Sequence, residues 1–130
     1  MRVTLNTLRK NQRYHHLHSP HYKEYYVPPV YLSRKLSIYF TFLFLNIGLS
    51  PNIISYVNFF VIGIIPFILI SGNLFIGGIL IIIVQLLDCC DGEMARVSGS
   101  TLYGQFLDSM GADLFYALVP SSMGIYLYKY

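Results

Sequence analysis

Between Leu36 and Leu87 the chain contains no Asp, Glu, Lys, Arg or His. Of its 130 residues only 12% are charged and 55% are hydrophobic, and the mean hydropathy is +0.53. A soluble domain would carry roughly a quarter charged residues, so the deficit argues against one and points to a multi-pass membrane protein. The apolar run is too long and too far from the N-terminus to be a signal peptide. Cysteine is scarce as well. Cys89 and Cys90 are adjacent, and a bond between neighbours would be badly strained. With no third cysteine there is neither a disulfide framework nor zinc-finger spacing. The pair reads as small, polarizable helix residues.

The net charge of +3 is unevenly spread. Seven of the nine Lys/Arg residues lie in the first 35 positions, against one acid there, Glu24. This segment precedes the first apolar stretch, so the positive-inside rule places the N-terminus in the cytoplasm. Anionic headgroups are a more economical partner for it than nucleic acid, which is not expected to bind. Residues 1–30 therefore read as a basic cytoplasmic tail, solvated and partly disordered. It contains His15, His16, His18 and His21, a cluster with no acidic partner or strong periodicity to support a metal site. Val27-Pro28-Pro29-Val30 breaks any helix before it, because proline removes a donor and restricts its predecessor.

Residues 31–130 read as an all-α membrane domain. Ser33, Ser37 and Thr41 recur every fourth residue beside Arg34, with Leu36, Tyr39, Phe40, Leu43 and Phe44 around them. This pattern predicts an amphipathic helix lying along the headgroup boundary from Tyr31 to about Ile47. Gly48 suits its C-terminus, while Ser50 and Pro51 suit the cap and first position of the next helix. A first span is expected from about Asn52 to Ile70, close to the ~20 residues a bilayer requires. Ser71-Gly72-Asn73 is a turn too short for anything but an antiparallel hairpin. A second span is expected from about Leu74 to Leu87, continuing as helix through Arg96, and a third helix from near Leu102 to about Tyr128, with Pro120 as a kink site. Two crossings return the chain to the cytoplasm, which puts the acids that follow on the same side as the basic tail.

Those acids are concentrated. Five of the six in the chain fall between Asp88 and Asp113, at the rim of the apolar run. Carboxylates beside lipid are costly and mark function by default. Asp88 and Asp91 are three apart, hence on one helix face, and Gly104 and Asp108, four apart, share a face of the next helix. Two antiparallel helices would present these carboxylates to one another around a gap lined by small residues, where Gly92 leaves space for a ligand and Ala95 keeps the next turn small. Arg96 adds a planar cation suited to phosphate. Hard oxygen ligands of this kind suit Mg²⁺ or Mn²⁺.

The string Asp88-x2-Asp91-Gly92-x2-Ala95-Arg96-x7-Gly104-x3-Asp108 resembles the DxxDGxxAR…GxxxDxxxD signature of the CDP-alcohol phosphatidyltransferase family. Ser50-Pro51-Asn52 is also similar to the Thr/Ser-Pro-Asn junction that opens that family's first span. The resemblance covers roughly Tyr31 to Tyr126. It implies transfer of a phosphatidyl or related phospho-alcohol group from CDP-diacylglycerol or another CDP-alcohol to a hydroxyl acceptor. CMP is released, as in phospholipid biosynthesis. An Mg²⁺- or Mn²⁺-dependent site, usually in a homodimer within the lipid bilayer, is implied too. On this likeness Asp88, Asp91 and Asp108 are metal ligands, Gly92, Ala95 and Gly104 make room for the nucleotide, and Arg96 orients phosphate.

Two departures stand out. The family pattern has a fourth Asp, metal ligand and base, four residues after the third, where this chain has Ala112; the nearest carboxylate is Asp113. On a regular α-helix four residues turn by ~40° and five by ~140°. A π-bulge would realign Asp113, and the Arg96–Gly104 interval is one residue shorter than the commonest family spacing. Asp113 is thus carried with Asp108 as a catalytic candidate and as a fourth metal ligand. The second departure is length: similar enzymes have six membrane helices and this chain has three after its amphipathic helix, so the domain reads as incomplete at its C-terminus. The alternative is a truncated, non-catalytic membrane protein that retains the metal and nucleotide site. A small cation-transport subunit would place ionisable groups deeper in the spans.

Overall fold

The structure, a computed structural model, describes residues 4–18 and 28–129, with side chains described for 4–14 and 31–129. Within these, five α-helices follow one another: α1 (Leu5–His18), α2 (Pro28–Ile47), α3 (Pro51–Ile70), α4 (Leu74–Ser98) and α5 (Leu102–Lys129). The expected boundaries hold closely. Gly48 ends α2 at φ +83°, a left-handed conformation that a side chain disfavours. Pro51 opens α3, where its missing N–H is harmless. Gly72, at φ +86°, closes the α3–α4 hairpin, and its backbone N–H reaches the Leu69 carbonyl.

α3 and α4 pack antiparallel along one seam. Ser55 meets Asp91 near the chain's polar rim, and Gly77 admits the Leu69 side chain at the other end, where a Cβ would collide with it. Between these points Ile62, Ile65 and Val84 are buried together, and α5 adds Val119 to the same cluster. Small residues at such seams let helix backbones approach closely. α5 lies against α3 on the other flank, where Gly111 faces the Phe59 ring. α3 and α4 are long and apolar enough to cross a membrane, with hydropathies of 2.5 and 2.1. Helix α5 forms as expected and runs through Pro120, but it does not join them by that measure. Asp108 and Asp113 occupy its first half, and Pro120, Ser121, Ser122 and Gly124 dilute the rest.

The N-terminal half differs from expectation in two respects. Residues expected to belong to a solvated tail form α1, which docks on α2 and α4 through Leu8, only 3% exposed. His15, His16 and His18 fall in this helix; their side chains, His21 and the break at Val27 lie outside the described residues. Pro28 and Pro29 open α2, consistent with their tolerance in a helix's first turn. The second difference concerns the polar stripe of α2. Ser33, Ser37 and Thr41 face inward and are buried, while Leu36, Tyr39, Phe40 and Leu43 are exposed.

Glu93 is the reason. Its carboxylate, on the face of α4 turned away from α3, is 5% exposed and accepts three hydrogen bonds. Ser37 Oγ donates to Oε1 at 2.8 Å, Gln12 Nε2 to the same oxygen at 2.9 Å, and Thr41 Oγ1 to Oε2 at 3.0 Å. The Gln12 amide nitrogen also reaches the Arg34 carbonyl at 2.8 Å. A buried carboxylate must find such donors or lose several kcal/mol, so the hydroxyl stripe turns toward it. Replacing Glu93 with alanine strands three donors at once and is expected to cost about 3 kcal/mol of stability. Thermal unfolding of the purified chain in detergent micelles reads this as a lowered midpoint; an unchanged midpoint would remove Glu93 from the anchoring role.

Candidate functional site

The last turns of α4, the loop at 99–101 and the first turns of α3 and α5 enclose a cleft of about 290 Å³. Its lining includes Asp91, Gly92 and Ala95 from α4 and Gly104 and Asp108 from α5, five residues singled out in the sequence. The small residues are needed there. A Cβ on Gly104 would sit 3.2 Å from both Asn52 Oδ1 and Thr101 Oγ1, closing the floor between α3 and α5. Gly92 leaves the surface over which the Arg96 guanidinium lies, with Nη1 3.5 Å from where a Cβ would be. The cation expected to handle phosphate is therefore held at the cleft's edge and exposed.

The carboxylates converge as their spacing implies. One oxygen from each of Asp88, Asp91 and Asp108 lies within 4.8 Å of the other two, bringing α4 and α5 together at one point. Asp91 is buried, whereas Asp88 and Asp108 are open to their surroundings. Oxygens around a divalent cation of magnesium's size lie ~2.1 Å from it, so opposite ligands are about 4 Å apart. Three hard oxygens gathered within 4.8 Å stand slightly wider than that, so a small inward adjustment would close them on such an ion, and they suit Mg²⁺, Mn²⁺ or Ca²⁺ better than softer metals.

Asp113 is not brought to this group. Helix α5 is α-helical throughout, without a π-turn, so a position five residues beyond Asp108 is turned ~140° from it. Asp113 is exposed on another face, and Ala112 occupies the aligned position.

Several polar neighbours were missed, Asn52 and Ser55 because they lie within an apolar span. Ser55 donates from Oγ to Asp91 Oδ2 at 3.0 Å and orients that carboxylate from α3. Asn52, Thr101 and Gln105 add to the cleft's polar lining, with Ser50, Ser98 and Ser100. Thr101 Oγ1 also accepts from the Gly104 N–H at 3.0 Å, capping the start of α5. Their signal was present: Asn52, Ser55 and Asn58 are polar residues recurring at helical spacing in a segment otherwise fit for lipid.

Comparison with curated proteins gives no match, and comparison with solved structures gives none. The family model for CDP-alcohol phosphatidyltransferases matches residues 48–129, a segment that takes in α3, the carboxylate-bearing α4, the glycine-lined cleft and α5. With the signature residues in register and the three carboxylates gathered where that pattern requires, the chain belongs to the CDP-alcohol phosphatidyltransferase family.

Proposed function

We propose that this chain transfers a phosphatidyl or related phospho-alcohol group from CDP-diacylglycerol or another CDP-alcohol to a hydroxyl acceptor, releasing CMP. The observation that carries the reading is the convergence of Asp88, Asp91 and Asp108 beside a cleft whose walls are kept free of side chains by Gly92 and Gly104. Asp88, Asp91 and Asp108 would hold Mg²⁺ or Mn²⁺, with Ser55 fixing the Asp91 carboxylate. When bound, the cation neutralises the diphosphate and makes CMP a better leaving group. The chain's own groups do the rest. Ala95 and Gly104 admit the cytidine nucleotide, and Arg96 pairs with phosphate in the bidentate manner its planar head allows. The acceptor oxygen bonds to the lipid-linked phosphorus as the bond to CMP breaks, and the acceptor's proton passes to the Asp108 carboxylate.

The membrane setting follows from the same reading. The basic segment 1–30 stays in the cytoplasm, α3 and α4 cross and return, and the cleft opens on the cytoplasmic side. α5 makes a third crossing, with Asp108 at the rim, in the domain spanning residues 31–130, and the assembled enzyme is a homodimer. Asp113 is left at the membrane surface, outside the reaction.

CMP release from CDP-diacylglycerol, measured across a panel of hydroxyl acceptors with Mg²⁺ or Mn²⁺ against chelator, tests the assignment. Metal-dependent release with one acceptor supports it; metal and CDP binding with no release from any acceptor leaves only the non-catalytic, binding reading. Asp108→Asn is expected to lower turnover more than about 100-fold, beyond the loss typical of a residue that merely supports a metal ligand. Asp113→Asn is expected to leave turnover within about twofold, and a loss as large as that of Asp108→Asn would reinstate Asp113 as the base. Gly104→Val forces a clash worth about 1–3 kcal/mol at the cleft floor, so the KM for the CDP-donor should rise about tenfold or more. An unchanged KM would place the nucleotide elsewhere.

A further inference from the structure

Asn58 lies about two turns into the first span, is 7% exposed, and its side-chain Oδ1 has no hydrogen-bond partner. An unpaired amide oxygen in a lipid-facing helix bundle is costly, of the order of 1–3 kcal/mol, and calls for an explanation such as an ion. The α3–α4 seam locates it. Ser55 meets Asp91 and Leu69 meets Gly77, so in this antiparallel pair the two residue numbers sum to 146 at both ends. The buried Ile62 and Val84 fall on the same register. It sets Asn58 opposite Asp88, one helical turn deeper than Ser55 and on the same face of α3. The orphaned oxygen thus stands at the depth of the three convergent carboxylates, on the one helix of the three that contributes none.

We infer that Asn58 supplies a neutral oxygen ligand from α3 to the divalent cation held by Asp88, Asp91 and Asp108. The inference rests on the metal reading above and adds a residue to it. It also bears on Ala112, where the family pattern has a fourth carboxylate. Asn58 offers another hard oxygen without adding negative charge inside the membrane, and amide carbonyls serve hard cations in this way. Neutrality suits its depth, since a further buried carboxylate would have to be desolvated whenever the cation was absent.

The test is Mn²⁺ binding to the full chain in detergent, followed by electron paramagnetic resonance of free and bound Mn²⁺. Asn58→Leu removes the oxygen and should weaken Mn²⁺ affinity about tenfold or more. The same substitution relieves an unpaired buried amide, so the metal-free variant should melt at or above the wild-type temperature while losing the upward shift that Mn²⁺ induces. Asn58→Asp restores an oxygen ligand and should bind Mn²⁺ at least as tightly as wild type. Equal affinity in wild type and Asn58→Leu overturns the inference and leaves the metal site standing. If Asn58→Asp binds as weakly as Asn58→Leu, the oxygen is not a ligand. If wild type fails to bind Mn²⁺ and Asp91→Asn changes nothing, the metal reading and this inference fall together.

Discussion

The antiparallel contact between α3 and α4 is the constraint on which the rest of the site depends. It is made by one stripe on each helix: Ser55, Ile62, Ile65 and Leu69 against Asp91, Val84 and Gly77. Its apolar half is a close-packed membrane seam that lacks a hydrophobic driving force between helices and so relies on small residues and shape. At its polar end Ser55 and Asp91 form a wall of the cleft. Because the stripe is continuous, the depth at which Leu69 settles over Gly77 also determines which residue of α3 faces each carboxylate. A slip of one helical turn at the apolar end would pair Ser55 with a different turn of α4 and disperse the carboxylates.

The opposite face of α4 is held with equal firmness. Glu93 is two residues from Asp91 and therefore points almost the other way around the helix. Its three hydrogen bonds to α1 and α2 fix the rotation of α4 from behind, while Ser55 and the seam fix it from the front. Few helices in a membrane carry buried acids on two faces, because each must be matched by donors. Here the donors are the hydroxyls of α2 and the amide of Gln12, which makes α1 and α2 part of the support of the site although the family match begins only at residue 48.

Much of this was legible in the residues. The i, i+3 spacing of Asp88 and Asp91 and the i, i+4 spacing of Gly104 and Asp108 fixed their helix faces, and Gly48, Pro51 and Gly72 marked the helix ends. The α2 stripe was read correctly in period and incorrectly in direction. Periodicity reports that Ser33, Ser37 and Thr41 share a face, but whether this face meets water or a buried partner depends on Glu93, far away in sequence. In lipid the usual inside-out rule also loses force, since exposed Leu36, Phe40 and Leu43 are at home there. The same distance hid the partner of Ser55, which became visible only with the register of α3 on α4. Asp113 was the opposite case: its misfit was already visible in the spacing, and a regular α5 leaves it unrelieved.

The two-sided anchoring of α4 has a consequence for how the protein is made. The end of α4 that carries three acids cannot settle in a bilayer by its own hydropathy, because Asp91 and Glu93 both require donors from elsewhere. Those donors are encoded upstream. Gln12, Ser37, Thr41 and Ser55 are all synthesised before Asp88 leaves the ribosome, and chains are synthesised N-terminal end first. The receiving surface is therefore already present when the acidic segment arrives, and α5 is the last of the five helices to reach a site whose other walls have been laid down.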